Sequence, residues 1–128
     1  MSLLFTLQTA KKIESVNKRN NKRGFGSTFA YKAYRDGWYL DIMVGTSGKQ
    51  NSHGDRRLCV DIISYRKRLL DRDNLWASCK PILDGLKHFG MIRDDSEKWI
   101  DLACFQFLNE DGGEKTVINI YDQPPTRP

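Results

Sequence analysis

Nine residues, Arg57-Leu58-Cys59-Val60-Asp61-Ile62-Ile63-Ser64-Tyr65, are largely β-branched or apolar. Such a run reads as a buried strand. Directly after it, Leu75, Cys79, Ile82, Leu86 and Phe89 recur at spacings of four and three, which predicts an amphipathic helix, and Gly90 is a natural stop just past its end. A buried strand followed by a helix with one apolar stripe has to fold as a sheet with a helix laid against it. Further strands are predicted over 3–9 and 99–108. Gly112 and Gly113, with Asp111, mark a turn, and 115–121 is expected to return beside 99–108 as a hairpin. Ser27 or Thr28 is placed to cap a helix over 28–44. Its stripe is Phe29, Ala33, Leu40 and Met43 with Ala30, Tyr34 and Val44, although 39–44 reads equally as a strand. The polar stretches 11–26 and 45–55 read as loops, and 124–128 as a tail. The expected fold is α/β (α+β): a small mixed sheet of about four strands packed with two main helices, in one domain over 1–128.

Composition narrows the function classes. A chain of 128 residues with 39% apolar residues can build one hydrophobic core. No apolar run is long enough for a membrane span, and the first residues lack the basic region and cleavage site of a signal peptide. The cysteines, Cys59, Cys79 and Cys104, form neither a disulfide framework nor a zinc pattern, so a reduced cytoplasmic setting is expected. The formal charge of +5 is unevenly spread. Residues 1–68 hold 14 Lys+Arg against 5 Asp+Glu, whereas residues 69–128 hold 7 against 11. A basic first half and a more acidic second half fit a phosphate-binding surface around a metal centre.

The acidic residues are patterned. Asp71-Arg72-Asp73-Asn74 places two carboxylates two positions apart, which share one face if the chain there is extended. Hard divalent cations such as Mg2+ take oxygen ligands, and two or three carboxylates suffice because the ion keeps several waters. Close carboxylates repel unless a cation lies between them. The competing explanation is local: Asp73 or Asn74 caps the following helix. Lys80 and Asp84 are four apart on a helix, where the plain reading is a surface ion pair and the functional one makes Lys80 a phosphate contact. Asp94-Asp95 follows the Gly90 stop.

Taken together, Asp71-Arg72-Asp73-Asn74, then Lys80-Pro81-Ile82-Leu83-Asp84-Gly85-Leu86, Gly90 and Asp94-Asp95 resemble the pattern of the RusA-type Holliday junction resolvases. Weaker likeness extends to Ser15-Val16-Asn17 before a basic loop, to Ala33-Tyr34-Arg35-Asp36, and to Gly112-Gly113 with the last strand. The resemblance implies a homodimeric endodeoxyribonuclease that uses magnesium to nick opposed strands of a four-way DNA junction, in recombination and repair at the nucleoid. It implies Asp71, Asp73 and Asp95 as metal ligands and Lys80 as the catalytic lysine. Lys18, Arg19, Lys22 and Arg23, with Arg66, Lys67 and Arg68, are expected to grip phosphates. Phe25, between two glycines, is expected to insert at the junction or lie as an ordinary loop aromatic.

One departure bears on Lys80. The family places this lysine about four residues after the second aspartate; here it comes seven after, across Leu75-Trp76-Ala77-Ser78-Cys79. In a continuous helix three extra positions shift Lys80 by about 4.5 Å along the axis and rotate it by about −60°. Alternatively the insertion is a loop, Ser78 caps the helix, and Pro81 falls in the first turn; Pro81 favours this late start. Two other functions stay open: a RusA-like DNA-binding protein without turnover, and a metal-dependent nuclease for other branched nucleic acids. His53 and His88 have no ligand partner at useful spacing. Trp38, Trp76 and Trp99 are expected in the core.

Overall fold

The computed structural model describes residues 3–14, 25–46, 56–109 and 112–123. Along the chain run β1 (Leu3–Thr9), α1 (Phe25–Gly45), β2 (Leu58–Arg66), α2 (Arg72–Ser78), α3 (Lys80–His88), β3 (Ile100–Leu108) and β4 (Lys115–Tyr121). The four strands form one mixed sheet in the order β1-β4-β2-β3. Strand β4 is antiparallel to both β1 and β2, and β2 is parallel to β3 in a register that pairs Leu58 with Ile100 and Arg66 with Leu108. The small α+β fold expected from the sequence is the fold observed.

Burial explains this order. β2 is paired on both edges and buried over almost its whole length, as its unbroken apolar run requires. Leu58, Val60 and Ile62 share one face with Ile118 and Ile120 of β4, and the helices cover that face with Trp38, Ile42, Ile82 and Leu86. These side chains are fully or almost fully removed from water.

Three expectations are corrected here. The stripe of α1 is Tyr34, Trp38 and Ile42, whereas Leu40, Met43 and Val44 are exposed. Leu40 and Val44 sit two positions from Trp38 and Ile42, about 200° around a helix, so they point away when Trp38 turns inward. The helix also begins at Phe25, inside the expected basic loop. Finally, β3 and β4 do not pair. They run in opposite directions, but β2 and its two ladders lie between them. A glycine turn reverses the chain without deciding which strand it lands beside, and β4, with Thr116, Ile118 and Ile120 buried on one face, fits an inner position. The expected tail at 124–128 and most of the loops at 15–24 and 47–55 lie outside the described residues.

Helices α1 and α3 touch at Gly85. A Cβ there would lie 2.6 Å from Ile42 Cδ1 and 3.3 Å from Tyr39 Cδ1, and Ile42 is fully buried in the core. Gly85→Leu is therefore expected to push α1 off α3 and to cost about 1–3 kcal/mol of stability, measurable as a lowered midpoint in urea unfolding with an unchanged slope.

Candidate active site

The carboxylates and Lys80 all lie in the connection between the parallel strands β2 and β3. The chain leaves β2 at Arg66 and reaches Leu70, where Gln106 of β3 clamps it. The Leu70 N–H donates to Gln106 Oε1 at 2.9 Å, and Gln106 Nε2 donates to the Leu70 carbonyl at 2.7 Å. Asp71 follows as the N-cap residue of α2, and Asp73 sits in its first turn. The two are thus not side by side on an extended strand. Asp71 makes no side-chain capping bond, and Asp73 and Asn74 lie inside the helix, so neither is its cap. Both aspartates are exposed.

The insertion before Lys80 is helical and not a loop. Residues Arg72–Ser78 form α2, and Ser78 does not cap α3: it is buried and donates to Asn74 Oδ1 at 3.2 Å. The chain stays right-handed through Cys79 (φ −81°, ψ −9°), where α3 begins with Pro81 in its first turn. Pro81 has no N–H to donate backwards, which accounts for the break just before it, at Cys79. Solvent-facing positions follow one stripe across the break: Asp73, Trp76, Lys80, Asp84 and Lys87, with Asp84 partly shielded. Seven positions are nearly two whole turns, which is why Asp73 and Lys80 share this stripe.

At the other end of α3, Gly90 (φ 72°) takes the left-handed conformation that suits glycine. The Gly90 N–H donates to Lys87 O at 3.1 Å and the Met91 N–H to Leu86 O at 2.9 Å, a Schellman closure. Met91 and Ile92 then bury, and the chain turns back along α3. Asp94 meets Lys87 at 3.0 Å, and Asp95 reaches Lys80, which also holds Asp84 at 3.1 Å. The Asp95 hydrogen bond first, and then Asp84, push the Lys80 pKa well above the ordinary lysine value. Lys80 is therefore a committed cation that can hold an anionic oxygen, not a proton acceptor.

Lys80 and Asp95, given separate roles by the resemblance, meet across 15 positions of chain. Among the described residues no group of three His, Cys, Asp or Glu side chains is placed to hold a metal ion. Asp71, Asp73 and Asp95 are not gathered as ligands in this arrangement, and Asp95 is already neutralised by Lys80.

The basic residues divide too. Lys18, Arg19, Lys22 and Arg23 lie outside the described residues, as does His53, and Phe25 is the first residue of α1. Arg66 is not a surface contact. The alternation of β2 turns it to the core side with Ile62 and Ser64, where it is buried. Its guanidinium donates to Ile13 O at 2.5 Å, Arg68 O at 2.9 Å and Ser64 Oγ at 3.2 Å, satisfying carbonyls that a folded chain cannot leave unpaired. Burial lowers its pKa. Lys67 and Arg68 are exposed on a cleft of about 380 Å³ shared with Lys12, Glu14 and Glu114. Trp38 is core as expected; Trp99 is partly buried beneath Arg93, and Trp76 is 42% exposed. Cys79 and Cys104 are free thiols with sulfurs 3.5 Å apart. The Gln106 clamp and Lys12 were missed: a glutamine in a strand and a lysine after one carry no local signal, since both act across the fold.

No family model matches the chain, and no curated protein matches it either. Among the described residues no helix is long and apolar enough to cross a membrane.

Two outcomes follow from these environments. Arg66→Met leaves the Ile13 and Arg68 carbonyls unpaired and is expected to cost at least about 1–3 kcal/mol, whereas Lys67→Ala and Arg68→Ala stay within about 0.5 kcal/mol of the parent; urea unfolding separates the two classes. Lys80 has its pKa raised by folding, so its stabilisation is complete below the ordinary lysine value of about 10.4 and is lost only as pH rises through the higher folded value. The melting-temperature gap between the parent and Lys80→Met should hold from neutral pH to that point, close above it, and narrow with added salt.

Proposed function

We propose that this chain is a RusA-like, magnesium-dependent endodeoxyribonuclease that acts on four-way DNA junctions as a homodimer. The observation that carries the reading is the meeting of Lys80 with Asp84 and Asp95, because it joins the separated parts of the motif at one place, on the helix face that also bears Asp73. In this reading Lys80 holds a non-bridging oxygen of the scissile phosphate and steadies the charge that builds there. Lys67 and Arg68, exposed on their own cleft, bind the phosphate backbone. Mg2+, if held by Asp71, Asp73 and Asp95, would supply an activated water and further charge stabilisation. Asp95, which pairs with Lys80 here, would have to leave the lysine to serve as a ligand, and Lys80 would then be free for phosphate. Two symmetric nicks need two sites related by a two-fold axis, hence a dimer.

A second reading has its own support. Three ligands are not assembled among the described residues and Asp95 is occupied by Lys80, which favours a RusA-like protein that binds branched DNA without cutting it.

A labelled four-way junction, incubated with and without magnesium beside linear duplex, flap and nicked controls, decides between them. Paired symmetric nicks confined to the junction and to magnesium are expected. Lys80→Met should then lower cutting by roughly 100- to 1000-fold with junction binding retained, and Lys67→Ala with Arg68→Ala should flatten the salt dependence of binding by about two counterions. Tight binding without any cut supports the second reading; cutting of flaps or nicks in preference to junctions moves the target.

A further inference from the structure

Trp76 is the one residue on the outer stripe of α2 and α3 whose exposure burial does not account for. It is 42% exposed, with charged Asp73 three positions before it and Lys80 four after, on the same helix face. It borders a cleft of about 520 Å³ between α2 and the outer edge of β3, together with Arg72, Asp73, Ala103, Cys104 and Phe105. Its indole offers aromatic surface to this cleft beside a guanidinium and a carboxylate, a surface that a flat apolar group can cover.

We propose that Trp76 is a stacking platform for one unpaired nucleobase of a DNA strand whose phosphates pass Arg72 and Lys80. This rests on the DNA-processing reading above and adds to it the place where a single-stranded or splayed base is held. The occupant follows from what lines the cleft. A nucleobase offers a π-face of indole size on a strand that carries one negative charge per residue. Arg72 is exposed at the cleft and supplies the matching cation; base stacking on an aromatic ring needs no particular base. The platform lies in the segment between Asp73 and Lys80, which is three residues longer than the pattern it resembles, and Lys80 still meets Asp95.

The test is binding of an oligothymidylate of about 12 nucleotides, with metal chelated so that no strand is cut. It is followed by intrinsic tryptophan fluorescence and by displacement of a labelled strand. The parent protein is expected to lose tryptophan emission on binding. Trp76→Phe should keep most of the affinity but lose most of the quenching, and Trp76→Ala should bind roughly 5- to 150-fold more weakly. An affinity unchanged in Trp76→Ala overturns the platform and leaves the nuclease reading standing. Trp76-dependent binding by a protein that never cuts a junction overturns the nuclease reading and leaves the platform standing. A parent protein that binds no DNA at low salt overturns both.

Discussion

Parallel strands cannot be joined by a tight turn; they need a crossover long enough to return to the starting edge. The pairing of β2 with β3 is therefore the constraint on which the rest of this structure depends. It obliges the 33 residues between Arg66 and Ile100 to climb over the sheet face. Every carboxylate of the motif, Lys80 and Trp76 lie in that climb. The core is buried beneath the same segment, since Leu75, Cys79, Ile82 and Leu86 face the sheet while Asp73, Trp76 and Lys80 face away.

Charge organises the outer side of the crossover. Lys80 is held by two carboxylates and Lys87 by a third, all in partial contact with water. Such pairs add little to stability, because solvent screens them and long side chains lose freedom in making them. Their effect is positional. They draw the segment after Gly90 back along α3, and they keep a lysine charged and aimed beside Asp95. Two hydrogen bonds from Gln106 hold the entry to α2 in the same way from the other end. The site is thus fixed at its start by the sheet and at its end by a glycine turn and two ion pairs.

How much of this was legible depended on whether the signal was local. The strands at 3–9 and 115–121 follow from β-branched and alternating residues, and the end of α3 follows from Gly90. The Lys80–Asp84 pair follows from helical spacing. The face of α1 did not, because that helix carries apolar residues on two sides, and only packing against β1 and α3 selects Tyr34, Trp38 and Ile42 over Leu40, Met43 and Val44. Arg66 looked like one of three equivalent surface cations. Strand alternation placed it inward, whereas Lys67 and Arg68 lie past the end of β2 and are exposed, a distinction that needs the register and the end of β2.

By itself the sequence determined the element types, the mixed α+β class, and a spaced set of acids and one lysine, because propensity, periodicity and turn chemistry act over a few residues. Tertiary structure alone decided that β4 lies between β1 and β2, that Asp95 comes to Lys80, that Arg66 is internal and that Trp76 faces water. Each of these joins or separates residues far apart in the chain. Their geometry is set by which surfaces can be buried together, and no short window of residues contains that information.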